Sequence, residues 1–444
     1  MSTGGTRREF LKSAAAGTAA IGLSSALYAA GSDTIKVGVI GCGGRGSGAA
    51  DNVMHSAPNV QIVAIGDVFN YRVEGLRKGL EKLVQQDAVK KLGNSIDLPK
   101  ERCFVGLDAY KQVIDSPANY IILATPPGFR PPHLKAAVAA GKHVFTEKPV
   151  AVDPVGCRSV FDTYEEALKK KLGVAAGTQR RHQLGYLETM KRVKDGAIGD
   201  ITALRCHWNG TGIWFRSRDE LVKRKEPSTD LAFQLNNWYH FLWVCGDHIC
   251  EQHIHNLDVC NWAMGKPPVQ CLGMGARLAR PKGPAPEAGN IFDFFSIDYD
   301  YGDGVHMLST CRQVPGTDTA MRGQSGISEA FIGTKGQCQA NAYLINGERV
   351  LNKAQDKAAV NPYVQEHTDL IESIRKGTPI NELKNVAESS LTAIMGRMSA
   401  YTGKAVTWDF VREKSTLDTM PASLSWDMQL DTPAVSQPGK TALV

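Results

Sequence analysis

In the first part of the chain, runs of β-branched residues bounded by glycine or polar clusters alternate with segments whose apolar positions recur at helical spacing. Ile35 to Ile40 predicts a buried parallel strand, and the small residues after Gly46 open a helix. Gln61 to Gly66 predicts a second strand that ends at Asp67. Tyr120 to Ala124 and Ala175 to Thr178 predict two more, with an alanine-rich helix between them. The second half has a different rhythm. Ile201 to Trp208, Val269 to Leu278, Phe292 to Tyr301, Gly304 to Arg312 and Gly326 to Ile332 read as antiparallel strands, with Tyr301-Gly302-Asp303-Gly304 as a hairpin turn. Helix returns from Pro362 to Arg375 and from Asn385 to Tyr401, and a short strand follows at Val406 to Trp408. The last stretch, with three prolines and no periodicity, predicts an extended arm on a neighbour or a flexible tail.

This order predicts an α/β protein in which a parallel-sheet domain, residues 32–150, precedes an α+β domain, residues 151–415, with a large, mostly antiparallel open sheet. An arm, 416–444, closes the chain, and residues 1–31 stand apart as a leader. The leader carries Arg7-Arg8 followed by Phe10-Leu11-Lys12, then a run of small and apolar residues from Ser13 to Ala30. These are the parts of a twin-arginine export signal, so the translocase of that pathway is an expected partner and the periplasm, or another exported location, an expected destination. The run is too short and too weakly apolar for a stable membrane span.

Composition narrows the classes further. With 43% apolar residues there is material for two cores. The formal charge of +6 is spread thinly, without the basic runs that would suggest nucleic acid. Ten cysteines show no framework spacing, and export of a folded protein keeps them reduced while folding, so buried free thiols are expected.

The first strand enters Gly41-Cys42-Gly43-Gly44-Arg45-Gly46, and Asp67 follows at close to the spacing of about 20 residues expected of the acid that binds ribose hydroxyls. Glycines keep side chains off the pyrophosphate path to the amides at the helix start. The motif therefore predicts a Rossmann domain that binds a dinucleotide through Gly41, Gly43, Gly44, Arg45, Gly46 and Asp67. Asp67 favours NAD, because a carboxylate repels a 2′-phosphate, while Arg45 and Arg72 keep NADP possible.

Further along, Thr125-Pro126-Pro127 follows a strand, His133 comes next, and Gly141-Lys142-His143-Val144 leads into Glu147-Lys148-Pro149. With the Gly333-Thr334-Lys335-Gly336 turn and the Tyr401 to Trp408 segment, these motifs resemble the glucose-fructose oxidoreductase, inositol dehydrogenase and related (Gfo/Idh/MocA) family over essentially the whole chain after the leader. The resemblance implies an oxidoreductase in which Lys148 lies beside the nicotinamide and touches the hydroxyl being oxidised. Thr125, Pro126, His133 and Glu147 then complete the cofactor site. It also implies association of copies through the open sheet of the second domain.

The family's second catalytic element matches Glu251-Gln252-His253-Ile254-His255-Asn256-Leu257-Asp258 with Trp262 and Gly265, placing Glu251 where aspartate is more usual. On a continuous helix Glu251 and His255 share one face, so a carboxylate positions an imidazole acting as proton acceptor. His240, His248, His253, Glu251 and Asp247 add metal-capable side chains. His253 and His255, two apart on such a helix, point in different directions, so no metal is expected. At the end of the Ala175 to Thr178 strand, Gln179 and Arg180 are candidates for substrate contact. The aromatic stretch from Trp208 to Trp243 adds Trp238 and His240, since aromatic faces stack on sugar rings. Arg216, Arg218, Lys223 and Arg224 in the same stretch read as a solvated loop.

Joining cofactor to compartment sets the expected function. No pool of free NAD serves an enzyme outside the cytoplasm, so a tightly retained cofactor is expected, with hydride transfer at a secondary hydroxyl of a sugar, cyclitol or glycoside. A redox-neutral, NAD-dependent glycoside hydrolase is the alternative of a different enzyme class. A non-catalytic sugar-binding or redox-sensing module is the alternative without chemistry.

Overall fold

The computed structural model describes residues 34–280, 287–321 and 325–444, so the twin-arginine leader lies outside the described residues. Seven strands form the first sheet: β1 (Ile35–Ile40), β2 (Val60–Asp67), β3 (Ser95–Ile96), β4 (Cys103–Val105), β5 (Tyr120–Leu123), β6 (His143–Thr146) and β7 (Val174–Ala176). They run in the order β3-β2-β1-β5-β6-β7, with β4 also paired to β2, and all pairs are parallel. The order reverses at β1, which opens a crevice beyond the carboxyl ends of β1 and β5. β1, β2 and β5 are nearly continuous apolar runs because helices cover both faces. The first sheet extends past residue 150, where the sequence places its boundary, because β7 pairs with β6 before the chain crosses over. Helix Pro362–Arg375 also returns to this domain, burying Leu370, Ile371 and Ile374 in its core.

The second sheet holds nine strands: β8 (Ile201–Gly210), β9 (Gln270–Ala276), β10 (Phe294–Asp300), β11 (His306–Gln313), β12 (Ile327–Gly333), β13 (Gly336–Gln339), β14 (Leu344–Ile345), β15 (Glu348–Arg349) and β16 (Val406–Thr407). Their order is β15-β14-β13-β12-β8-β11-β10-β9-β16, antiparallel except where β11 lies parallel to β8. One face is buried under helices Ile254–Met264 and Leu383–Thr402. The other is open and carries Leu272, Met274, Leu308 and Ile332, all more than half exposed. The predicted hairpin joins β10 to β11 through Gly302, Asp303 and Gly304, each at positive φ.

The arm packs against its own chain. Met420, Leu424, Trp426, Met428 and Leu430 pack on Phe69, Phe129, Phe233 and Trp243 of the same chain, which supplies the apolar partners that a local reading of the arm cannot see. All ten cysteines are free thiols, nine of them buried. Among the described residues no helix is long and apolar enough to cross a membrane.

Candidate active site

A cleft of about 760 Å³ lies at the switch point of the first sheet and runs from the β2 end to the second domain. Its floor is the glycine turn. Gly41 stands at φ +94°, and a side chain there would strike the Ala124 carbonyl carbon at 2.6 Å. A Cβ on Gly46 would lie 1.7 Å from the Gly41 carbonyl oxygen, so this glycine lets helix Gly44–Met54 sit on β1. Gly44 meets nothing within 4 Å and Gly43 only Arg72, at 3.5 Å. The helix starts at Gly43 with no side-chain cap, leaving its first N–H groups directed to open space. That combination fits the pyrophosphate of a dinucleotide. At the end of β2, Asp67 accepts from the backbone N–H of Cys42 at 2.7 Å and of Phe69 at 3.0 Å, so its carboxylate is fixed at the cleft edge. A ribose diol fits there.

At the opposite end, β6 delivers Glu147 and Lys148. The Lys148 ammonium donates to the Glu251 main-chain carbonyl and lies 3.2 Å from the Glu251 carboxylate, with the two side chains only 10% and 16% exposed. The turn that follows Lys148 is tied down by Arg130, whose guanidinium donates to the Pro149 carbonyl at 2.5 Å. Burial lowers Arg130 to about 10. Glu147 pairs with Arg45, which also faces Glu366 at 3.5 Å and stacks on Tyr363 at 4.8 Å. His133 stacks on Tyr110 at 4.0 Å beside Thr125, and burial, with Arg130 adding to it, pushes it down to about 3, so it is neutral.

Glu251 does not sit one turn before His255 on a continuous helix. It ends the short helix His248–Glu251, and a second helix starts at Ile254, because His253 is drawn into the core against β11, where Nε2 meets the Ser309 hydroxyl at 2.7 Å. The Glu251 carboxylate is consequently spent on Lys148 and on Tyr239. Burial first, and Glu251 next, push the Tyr239 phenol well up, so it stays protonated and donates to that carboxylate. His255 lines the cleft beside Trp208, at 5.9 Å between rings. Burial, then the charges of Lys148, Arg180 and Arg45, hold it well below the usual imidazole range, so it is neutral.

Two substrate candidates are misplaced by local reading. Gln179 reaches the cleft, but Arg180, next in the turn Gln179–His182, points under the second sheet to the fully buried Glu329, which also accepts from Tyr186 at 3.0 Å and Asn256 at 2.6 Å. Charge pairing in a dry interior outcompetes the cleft for this guanidinium. Trp238 lines the cleft, whereas His240 is fully buried beneath it and meets the Trp214 carbonyl at 2.8 Å. Asp258 clamps Arg181 in a bidentate pair and so holds the second helix in place. Among the described residues no group of three or more His, Cys, Asp or Glu is arranged to hold a metal ion.

The sequence reading misses Arg130, Tyr363 and Glu366. Glu366 and His367 occupy the buried stripe that Leu370, Ile371 and Ile374 continue one turn later, and charged residues on an apolar stripe are the signal that could have marked them. Arg216 lines the cleft, stacked on Trp214 at 4.0 Å, and Arg218 is paired with Glu287 and Asp230, so these two leave the expected solvated loop, whereas Lys223 and Arg224 are exposed, Arg224 over the Tyr71 ring.

The turn carrying Gln179 rests on His182, which bonds Asp369 at 2.6 Å and faces Glu382 at 3.2 Å. Burial disfavours the imidazolium, yet these carboxylates raise His182 to about 10. A raised folded value gives stability that is complete below the unfolded value of about 6.5 and is lost as pH climbs toward 10. Thermal unfolding between pH 6.5 and 10 should therefore show a decline that His182→Asn flattens; an unchanged slope in that variant removes this ion pair from the account.

Residues 35–175 match the family model described as oxidoreductase family, NAD-binding Rossmann fold (Gfo/Idh/MocA). The inositol 2-dehydrogenase of Pseudomonas fluorescens is 26% identical over 352 residues, covering 78% of this chain and 87% of that enzyme. That of Klebsiella pneumoniae (strain 342) is 28% identical over 231 residues, covering 52% of this chain and 55% of its own length. Among solved structures, the aldose-aldose oxidoreductase of Caulobacter crescentus superposes with a TM-score of 0.61 at 16% identity, over 84% of this chain and 99% of its own. The scyllo-inositol dehydrogenase of Lactobacillus casei with NAD(H) and scyllo-inositol gives 0.58 at 18%, over 84% and 99%.

Proposed function

We propose that this chain is an NAD-binding oxidoreductase of the Gfo/Idh/MocA family, whose model matches residues 35–175, and that it transfers a hydride at a secondary hydroxyl of a sugar, cyclitol or glycoside while keeping its cofactor bound. The observation that carries this is the cleft end where Lys148, fixed by Glu251, shares one wall system with the neutral imidazole of His255 and with Gln179. Similar enzymes named for inositol and aldose substrates support the substrate class.

Bound NAD supplies a hydride acceptor. The protein supplies the rest. The Lys148 ammonium donates to the substrate oxygen and favours the alkoxide character that oxidation requires, and His255 takes the hydroxyl proton. Glu251 and Tyr239 hold the ammonium in place, and Gln179 and Trp238 bind the polar edge and the C–H face of the ring. Glu147 with Arg45 and Asp67 with the glycine turn would hold the two ends of the cofactor.

Protein purified with its nucleotide and incubated with a panel of sugars, cyclitols and aryl glycosides tests the reading. Lasting growth of the reduced-nicotinamide absorbance with one polyol is expected. Aglycone release without that change would make the chain a glycoside hydrolase instead, and failure to hold or bind NAD would overturn both. We place the enzyme outside the cytoplasm on the strength of its twin-arginine motif, a reading that fractionation of cells expressing Arg7→Lys/Arg8→Lys decides. Two copies meet, in this reading, on the open sheet face through Leu272, Met274, Leu308 and Ile332. A monomeric mass in sedimentation would end that part of it.

A further inference from the structure

The cleft has a second wall that does not belong to the dinucleotide-binding domain. Trp214, Arg216 and Leu235 line the cleft with Tyr71 and Arg72, and Arg216 and Arg72 place this part of it at the end marked by Asp67. This wall is internally rigid. The Arg216 guanidinium stacks on Trp214 and donates to the Asn236 carbonyl at 2.9 Å, while the Asn237 side chain bonds both the N–H and the carbonyl of Arg216. It is also pinned across the cleft. The Tyr71 hydroxyl donates to Asn236 at 3.2 Å, the Tyr71 N–H donates to Glu226 at 2.8 Å, and Arg224 stacks on the Tyr71 ring at 4.6 Å.

The C-terminal arm ties the two walls together from outside. Thr419 donates through its N–H and hydroxyl to Asp153, the cap of helix Pro154–Lys169 a few residues after Lys148. Trp426 then packs on Phe69 next to Asp67, with ring centroids 6.4 Å apart. Leu430 accepts from Gln234, whose other end accepts from the Trp243 indole at 2.7 Å. One strap thus touches the loop behind the lysine, the strand end behind Asp67 and the helix under the second wall.

We propose that residues 214–237 form a fixed wall for the adenosine half of NAD, with the Trp214–Arg216 stack and Tyr71 offering flat faces to the purine, and that the C-terminal arm locks this wall so that NAD does not exchange during turnover. The inference rests on the reading that the cofactor is retained. It names what retains it. Stacking on aromatic and guanidinium faces rewards a bound purine, and a wall that cannot swing away slows its escape.

The test is the rate at which bound NADH leaves the full-length protein, followed by the loss of its fluorescence on dilution into excess NAD. Wild type, Trp426→Ala/Leu430→Ala at the arm and Trp214→Ala inside the cleft are compared, with arm release checked by limited proteolysis. Release at least about 30-fold faster in both variants, or ~2 kcal/mol at 1.4 kcal/mol per tenfold, is expected. Should the arm variant fail to fold, Trp214→Ala decides alone. A wild type and variants that all hold NADH, with the arm shown to be free, would overturn the strap and leave retention standing. A wild type that releases NADH as fast as the variants would overturn retention itself.

Discussion

Lys148→Met should lower hydride transfer by about 10³-fold while the purified protein still carries NAD, because the substitution removes the ammonium held against Glu251 at one end of the cleft and leaves the glycine turn and Asp67 untouched. The geometry also predicts a hierarchy. Lys148 has two partners on Glu251, the main-chain carbonyl and the carboxylate, and Glu251→Gln keeps the first. The glutamine variant should therefore lose only about 10-fold, chiefly in kcat, since the ammonium is loosened and not displaced. If Lys148 merely neutralised a buried carboxylate, the order would differ. Lys148→Met would then act mainly on stability, and adding Glu251→Gln would relieve it. Single-turnover reduction of the bound nucleotide, with thermal unfolding of each variant alongside, separates the two. A Lys148→Met protein with near wild-type turnover would remove the lysine from the chemistry.

What local sequence can show is visible in where the expectations met the structure. The parallel strands were legible because burial on both faces forces nearly continuous β-branched runs, as in Ile35–Ile40 and Tyr120–Leu123. Helix Pro362–Arg375 was legible to the residue from its proline start and its stripe, though nothing local revealed that Glu366 sits 3.5 Å from Arg45. The break before His255 was not legible. It depends on His253 finding Ser309 in a strand more than fifty residues away, and a tertiary hydrogen bond of that kind overrides helical continuity without leaving a proline or glycine as a mark. Arg180 and Arg216 show the same limit from opposite sides. One was expected at the cleft and is taken by a buried carboxylate, the other was expected in solvent and stacks on a tryptophan that faces the cleft. An arginine's destination is set by which partner the fold brings near, and its sequence neighbours carry little of that information. The arm is the clearest instance. Leu424, Trp426, Met428 and Leu430 alternate with exposed residues and turn one face to a single aromatic cluster, a two-residue period that the reading of the arm passed over, while the partners they cover lie far away in sequence.

Gly46→Ala should cost the protein both its nucleotide and on the order of 3 kcal/mol of stability, whereas Gly44→Ala, two residues earlier in the same turn, should leave the fold intact and weaken only NAD binding. The new methyl carbon at position 46 would stand 1.7 Å from the Gly41 carbonyl oxygen and 2.9 Å from its carbon. The clash is with the Gly41 backbone, which side-chain rotation cannot relieve, so helix Gly44–Met54 must lift off β1, and the amides it would present to the pyrophosphate move with it. A methyl at position 44 meets no protein atom within 4 Å, and alanine is a better helix former than glycine, so the unliganded protein should be as stable as wild type or slightly more so. That empty space is where the dinucleotide backbone has to approach. The methyl therefore collides only with the bound cofactor, and a loss of about 10-fold or more in NAD affinity is expected. Thermal unfolding of cofactor-free protein and NADH titration, run on both variants, give a crossed result: position 46 fails both measurements, position 44 only the second. Equal behaviour of the two variants would mean that the turn is held by packing alone and that the cofactor does not lie along it.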